Sequence, residues 1–583
     1  MRNRKNNSKK QIKINKNFFY YQVESYSDKS SKKIRPFYFH IFLLLFIALI
    51  IGLWFSISNK IRIENIDIFI KKTSNLFEFK NKSSFWGLYT ETNLIKLVFK
   101  FLYISIKYGL VGTFIGFLLA FATSLVSTEL VTNKYLSKIN RILILIIRAI
   151  PEIVFIKLFI STFMNEMSLL FVYIWFTWLW LHKYYCEILD TIDRHEYYVS
   201  IKQGNNKFNA FKKEILPRIK NRYLTLFLFS FESNIRWTSI LGILSLPGLG
   251  ALIKHGSQDT YFFKELGIPL TVLILFVLCL EFINIKLKKC LFEHKTKELK
   301  YIEKNKQDLY KKLSKKKNYK QIILSIILVL LIVYSVIVLI QTPFLTHNSN
   351  SSKQFLKAFF TPDFREMNWR GSNSIFSLLS ECFTFALLSM SLTILISLVY
   401  LRFMSTKLNN KYTYFLARNL NSLNRLIPTV VLFLLFKPLL SSPLLLILIL
   451  LGIHESSNIS KQLVEAIDNL DEEVIKNLKS QGYSNNYIYK KYALPSIKHI
   501  FISLSIFYFE LAFRSSITYS VFANEDLHLG NEIWMNLDIN TVPKPRVAMS
   551  YVWVATICIL LINSINILIN QKIFKRKKYE YKI

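Results

Sequence analysis

At 583 residues the chain is long enough for several domains, but 52% of it is hydrophobic, with 49 Phe and 31 Tyr. That composition excludes an ordinary soluble protein. The net charge of +39 is concentrated: the first 35 residues hold 11 Lys/Arg against Glu24 and Asp28, Lys286–Lys320 holds 14 against four acids, and Lys572–Lys582 holds six against Glu580. Beside apolar runs, such stretches mark the cytoplasmic side of a membrane and meet anionic lipid, so nucleic acid is not the partner they imply. Five dispersed Cys without C-x-x-C and nine dispersed His give neither a disulfide framework nor a zinc site.

In chain order, a basic tail (1–36) leads into a first domain, 37–286, with apolar spans near 37–57, 95–126, 142–164, 168–185, 223–247 and 266–286. The run Pro36–Ile57 is long for a signal peptide and lacks a small-x-small cleavage site, which makes it a retained first span. A basic linker, 287–319, joins a second domain, 320–570, with spans near 320–341, 375–403, 425–440, 443–460, 500–522 and 546–569; a basic tail, 571–583, ends the chain. The runs approach the ~20 apolar residues that a helix needs to cross a bilayer. They predict an all-α polytopic membrane protein of about 12 transmembrane helices. Six spans per half put both termini, the linker and the polar loops after each fourth span on the cytoplasmic side, with loops 58–92, 342–374 and 523–545 outside.

Those polar loops are copies of each other. Glu187–Pro217 and Glu465–Pro495 align over 31 residues, 278 positions apart and without a gap. Glu187, Asp190, Gly204 and Pro217 of the first match Glu465, Asp468, Gly482 and Pro495 of the second. Acids at 187, 190 and 193 favour the start of a short helix over Glu187–Lys202, and Gly204 permits the turn that ends it. A second short helix carries Lys212 and Lys213, and Pro217 marks re-entry to the membrane. The halves also share Arg-x-x-Pro at Arg148–Pro151 and Arg425–Pro428, and Phe-Glu-x-x-x-Arg at Phe231–Arg236 and Phe509–Arg514. Parallel repeats of this kind imply a pseudo-two-fold axis along the membrane normal, with the transport path near it.

Glu232 and Arg236 lie four apart, on one helical face, and Glu510 and Arg514 repeat the pair. Intramembrane charges face a bundle interior or an aqueous cavity. Either each pair is a self-neutralising packing element, or the arginines converge on the axis and attract an anion, for which the planar guanidinium is suited. Arg148 and Arg425, at span ends before prolines, are expected to anchor at the interface.

The loop pattern, with Glu465-Ala466 at its start, resembles the cytoplasmic EAA loop of ABC-importer permeases. The flanks R-A-I-P-E at 148–152, F-E-S-N-I-R-W-T-S-I-L-G-I at 231–243 and F-F-T-P-D-F at 359–364 resemble the phosphonate-import permease family. The resemblance implies two tandem copies of a type I ABC-importer permease fold. It also implies ATPase coupling through Glu187, Asp190, Gly204, Pro217, Glu465, Ala466, Asp468, Gly482 and Pro495, and a glycine gate at Gly242, Gly248 and Gly250 for the first half only. The implied partners are two ABC ATPase subunits, an extracytoplasmic substrate-binding protein and membrane lipid, with one copy of this chain per transporter. No G-x-x-x-x-G-K-[ST] cradle occurs, so no cofactor is expected on this chain and ATP-Mg is expected on the partners; the chain is not itself expected to be an enzyme. The rival readings are an importer permease for phosphate, phosphite, a thiamine-type phosphate ester or an amino acid, a secondary transporter needing no ATPase, and a membrane-anchored nucleic-acid binder using the basic tail and linker.

Overall fold

The computed structural model describes residues 12–17, 20–25, 31–34, 37–58, 65–87, 92–259, 261–287, 319–346, 349–371, 373–427, 429–440, 442–521, 523, 526–537 and 544–580. Most of the expected 287–319 linker, Pro428 and the ends of both basic tails lie outside these residues. Two compact units form, 1–61 and 62–583. The first holds an antiparallel three-stranded sheet, β1 (Ile12–Asn17), β2 (Tyr20–Ser25) and β3 (Ser31–Ile34), in the order β1-β2-β3, where the sequence had suggested only a charged tail. It is followed by the apolar helix α1 (Phe37–Ser58).

The second unit is helical and built twice. The first half contains α2 (Ile66–Leu76), α3 (Leu94–Val126), α4 (Lys134–Ala149), α5 (Glu152–Thr162) and α6 (Asn165–Thr191). It continues with α7 (His195–Lys202), α8 (Lys207–Ala210), α9 (Leu216–Ile243), α10 (Leu249–Ser257) and α11 (Gly267–Leu287). The second half opens with α12 (Tyr319–Gln341), α13 (Ser349–Phe360), α14 (Ile375–Met404), α15 (Lys411–Leu426), α16 (Thr429–Phe436) and α17 (Pro443–Asp468). It closes with α18 (Glu472–Ser480), α19 (Asn485–Ile488), α20 (Leu494–Tyr519), α21 (Leu529–Asn536) and α22 (Pro545–Glu580). Helices α3 to α11 thus recur, in order, as α14 to α22.

Eight helices among the described residues are long and apolar enough to cross a membrane, or nine if α15 and α16 count as one bent span. The expected count of about 12 exceeds this, and the difference has physical causes. The spans expected near 142–164 and 425–440 are not straight. Ile150 and Ile427, each preceding a proline, take extended backbone (ψ 133° and 122°), as the ring of a following proline requires. In the second half the two pieces meet at 76°. Helices α6 and α9 are long enough, but Trp, Tyr, His and the Glu232/Arg236 pair dilute their apolar character.

The broken spans interlock the halves. Helices α4 and α5 pack on α20, α21 and α22, and α15 and α16 pack on α9, α10 and α11. Within the first half, α3 closes on α6 because Gly112 and Gly116 leave no side chain between them: a Cβ would come within 2.5 Å of Tyr173 Cβ and 2.7 Å of Thr177 Cβ. Small residues at such crossings let helices gain close packing where lipid offers no hydrophobic drive.

Candidate functional site

The repeated segments have the same local structure, which differs from the expected helix over Glu187–Lys202. Helix α6 runs on through Glu187 and Asp190 to Thr191, so these acids end a long helix instead of starting a short one; Glu465, Ala466 and Asp468 likewise end α17. The third acid starts the short helix. Asp193 accepts from the His195 N–H at 3.0 Å and Asp471 from the Glu473 N–H at 2.9 Å, satisfying donors that a helix start leaves open. Gly204 (φ 93°) and Gly482 (φ 83°) then turn the chain. A Cβ at either would meet nothing within 4 Å, so both glycines face open space.

The return to the membrane is continuous. Residues 211–215 and 489–493 each form one π turn, carrying Lys212–Lys213 and Lys490–Lys491, and lead directly into α9 and α20. Pro217 and Pro495 sit just after these turns. A proline inside a helix lacks an N–H and crowds the preceding turn, and a widened turn relieves this. The short helices rest on matching cores: Leu189, Tyr197, Phe211 and Ile215 in one half, Ile467, Ile475, Tyr489 and Ala493 in the other.

Asp190 and Asp468 are occupied within the chain. Arg141 on α4 donates two 2.9 Å hydrogen bonds to the Asp190 carboxylate and one of 2.6 Å to the Ser127 carbonyl. Arg418 on α15 donates to Asp468 at 2.6 Å and to the Met404 carbonyl at 3.0 Å. This brace was missed in the sequence; the available signal was an arginine seven residues before each Arg-x-x-Pro. Glu187 and Glu465 are exposed and are not held by an arginine among the described residues.

Between the halves lies a cavity of about 1160 Å³, reaching from Leu241 and Tyr519 down to Glu465 and Asp468 at the base of the repeated segment. Glu232, Arg236, Glu510 and Arg514 all line it. Arg236 pairs with Glu232 at 3.6 Å, and Arg514 with Glu510 at 2.5 Å and with Glu152 at 3.9 Å. Arg425 is buried in this wall and Arg148 is mostly covered by it, so neither is an interface anchor. Arg148 reaches Glu510 (3.9 Å) and Asn563 (3.4 Å) of the other half, and Arg425 reaches Glu281 (2.6 Å). Arg236 donates to the Arg425 carbonyl at 3.2 Å, and Asn284 donates to Glu232 at 3.1 Å. The two Glu/Arg pairs line one cavity, and each guanidinium is already neutralised, as burial of a charge requires.

Gly242 and Gly250 bring α9 and α10 into contact: a Cβ on Gly242 would fall 1.9 Å from the Gly250 carbonyl carbon, and one on Gly250 2.0 Å from the Thr238 oxygen. Gly248 starts α10 with φ 116°. The feature is not confined to the first half. Gly530 lies against the Ile517 oxygen (1.8 Å from an added Cβ), with spacing one residue longer. On α10, His255 Nε2 lies 3.2 Å from Ser84 Oγ and 3.8 Å from the buried Glu265; burial lowers the His255 pKa, and Glu265 opposes that in part.

Duplicated membrane helices, a cavity lined by both halves and paired surface segments define a two-half transport protein of the membrane. The chain belongs to the family of binding-protein-dependent transport system inner membrane components, whose model matches twice, over 112–285 and 403–579. It is a multi-pass membrane protein and a permease-type subunit of an ABC transport system, a family that works with ATPase and substrate-binding partners. It is 26% identical over 451 residues to the ABC transport system permease protein p69 of Mycoplasma pneumoniae, covering 77% of this chain and 82% of that protein. It is 24% identical over 507 residues to p69 of Mycoplasma genitalium, covering 86% and 89%. Neither name specifies a cargo. No solved structure matches.

Proposed function

We propose that the chain is the whole membrane-spanning part of an ATP-driven importer, with both permease halves on one polypeptide. ATPase subunits dock on the two repeated segments at the cytoplasmic face, where both termini and the 287–319 linker also lie. Glu187, Gly204, Glu465 and Gly482 meet the ATPases; Asp190, Asp468, Pro217 and Pro495 hold the segments in shape and join them to α9 and α20. ATP-Mg is bound and hydrolysed on the partners. A binding protein delivers cargo from outside, and the cavity bounded by Glu232, Arg236, Glu510 and Arg514 opens alternately to the two sides. The glycine contacts at Gly242, Gly248 and Gly250 gate its outer end. The cargo we infer is a phosphonate or a related phosphorylated organic anion, which the flanking motifs support.

The observation carrying this reading is the matching pair of knobs, each with an open-facing glycine, joined to helices that line one cavity. Each knob continues without a break into a cavity-lining helix, so force applied to it reaches the pathway. Affinity purification of the chain from its native membrane should bring down an ATPase, lost on Gly204→Trp/Gly482→Trp. A transport-competent chain that never carries an ATPase contradicts the reading and favours a secondary transporter.

A further inference from the structure

Lys183 and Lys461 occupy equivalent positions, 278 apart, and both line the cavity. Each reaches across to an aromatic ring of the other half. Lys183 Nζ is 3.1 Å from the centre of the Phe507 ring, and Lys461 Nζ is 6.0 Å from that of Phe229. The two phenylalanines are themselves 278 apart. The lysines differ from the arginines of the cavity in what neutralises them. Arg148, Arg236, Arg418, Arg425 and Arg514 each have a carboxylate within 3.9 Å or less. Lys183 has a carboxylate at a comparable distance, 3.8 Å, but it is that of Glu187, whose side chain is 56% exposed, and among the described residues Lys461 has no carboxylate at ion-pair distance. A lysine resting on a ring face leaves its N–H donors uncommitted to a fixed acceptor.

We propose that Lys183 and Lys461 are the cavity's anion-binding groups, taking the oxygens of a phosphate- or phosphonate-type head, while the arginines hold the halves together. This rests on the importer reading above. It also supplies a link to the drive. Each lysine lies one helical turn before the first acid of a repeated segment, Lys183 before Glu187 and Lys461 before Glu465, on a shared helical face. In the first half, an anion that draws the Lys183 ammonium into the cavity withdraws it from Glu187, so cargo occupancy changes the charge presented at that ATPase-docking segment.

The test uses the full chain purified with its ATPase in maltoside. Methylphosphonate and inorganic phosphate are the probes, and broadening of their phosphorus-31 resonances reports binding. Lys183→Gln/Lys461→Gln should weaken binding of both probes by roughly tenfold or more, the loss of charged hydrogen bonds, and Lys183→Arg/Lys461→Arg should restore it. Unchanged broadening in the Gln pair, or none in the parent, overturns the inference. Co-purification of the ATPase is scored on the same samples. If the ATPase is retained, the importer reading survives that failure; if it is absent from the parent, the importer reading falls independently.

Discussion

Arg425, at the break between α15 and α16, donates a 2.6 Å hydrogen bond to Glu281 of the opposite half. Its side chain is 2% exposed, against 16% for Glu281. The pair fastens the second half's bent span against α11, and Arg148 does the reciprocal service against Glu510 and Asn563. Removing one partner strands a buried charge, a loss of about 3–5 kcal/mol. Arg425→Ala should therefore lower thermal stability more than Arg425→Met/Glu281→Leu, measured by unfolding in detergent as a double-mutant cycle.

The Arg141–Asp190 brace behaves differently because both side chains are substantially exposed (38% and 43%). Such a pair contributes about 0.2–1 kcal/mol. Arg141→Gln/Arg418→Gln should leave the melting temperature nearly unchanged. Hydrogen exchange should rise over 193–215 and 471–493, where the brace holds each segment to its amphipathic helix.

The glycine contacts predict a second asymmetry. Gly250→Ala and Gly530→Ala each force a methyl group onto a backbone oxygen, at 2.0 Å and 1.8 Å before relaxation. Overpacking of this kind costs about 1–3 kcal/mol. Gly204→Ala meets no atom and strains only the positive-φ backbone. Melting temperature should fall clearly for the first two, whereas ATPase co-purification should be the more sensitive readout for bulky residues at 204.

His255 gives a pH dependence. Burial holds its folded pKa below the ordinary value, so the unfolded chain binds the proton more readily. Its contribution to stability is full at neutral pH and is lost as pH falls through the unfolded value near 6.5 towards the lower folded one. His255→Asn should flatten that part of the stability profile, measured as melting temperature between pH 7.5 and 5.5.

Much of this was legible in the sequence because duplication leaves a register. The repeated segments, the turn glycines and the Glu232/Arg236 and Glu510/Arg514 pairs are local patterns, and the structure keeps them local. What failed to show were relationships between segments. Arg148 and Arg425 look like span-end anchors until the bend at each following proline carries them into the opposite half. Arg141 and Arg418 escaped notice because the register there is 277, not 278, and they lie far in sequence from the acids they hold. Glu187 and Asp190 were assigned to the start of a helix because acids favour such ends. Continuation of the apolar face of α6 overrode that preference.

If one chain presents two ATPase docking sites, intact-complex mass measurement counts them directly. The particle should hold one copy of this chain and two ATPase subunits, falling to a single ATPase subunit when either Gly204 or Gly482 alone is replaced by Trp. Two copies of the chain in the particle, or full ATPase occupancy after both replacements, would contradict this arrangement.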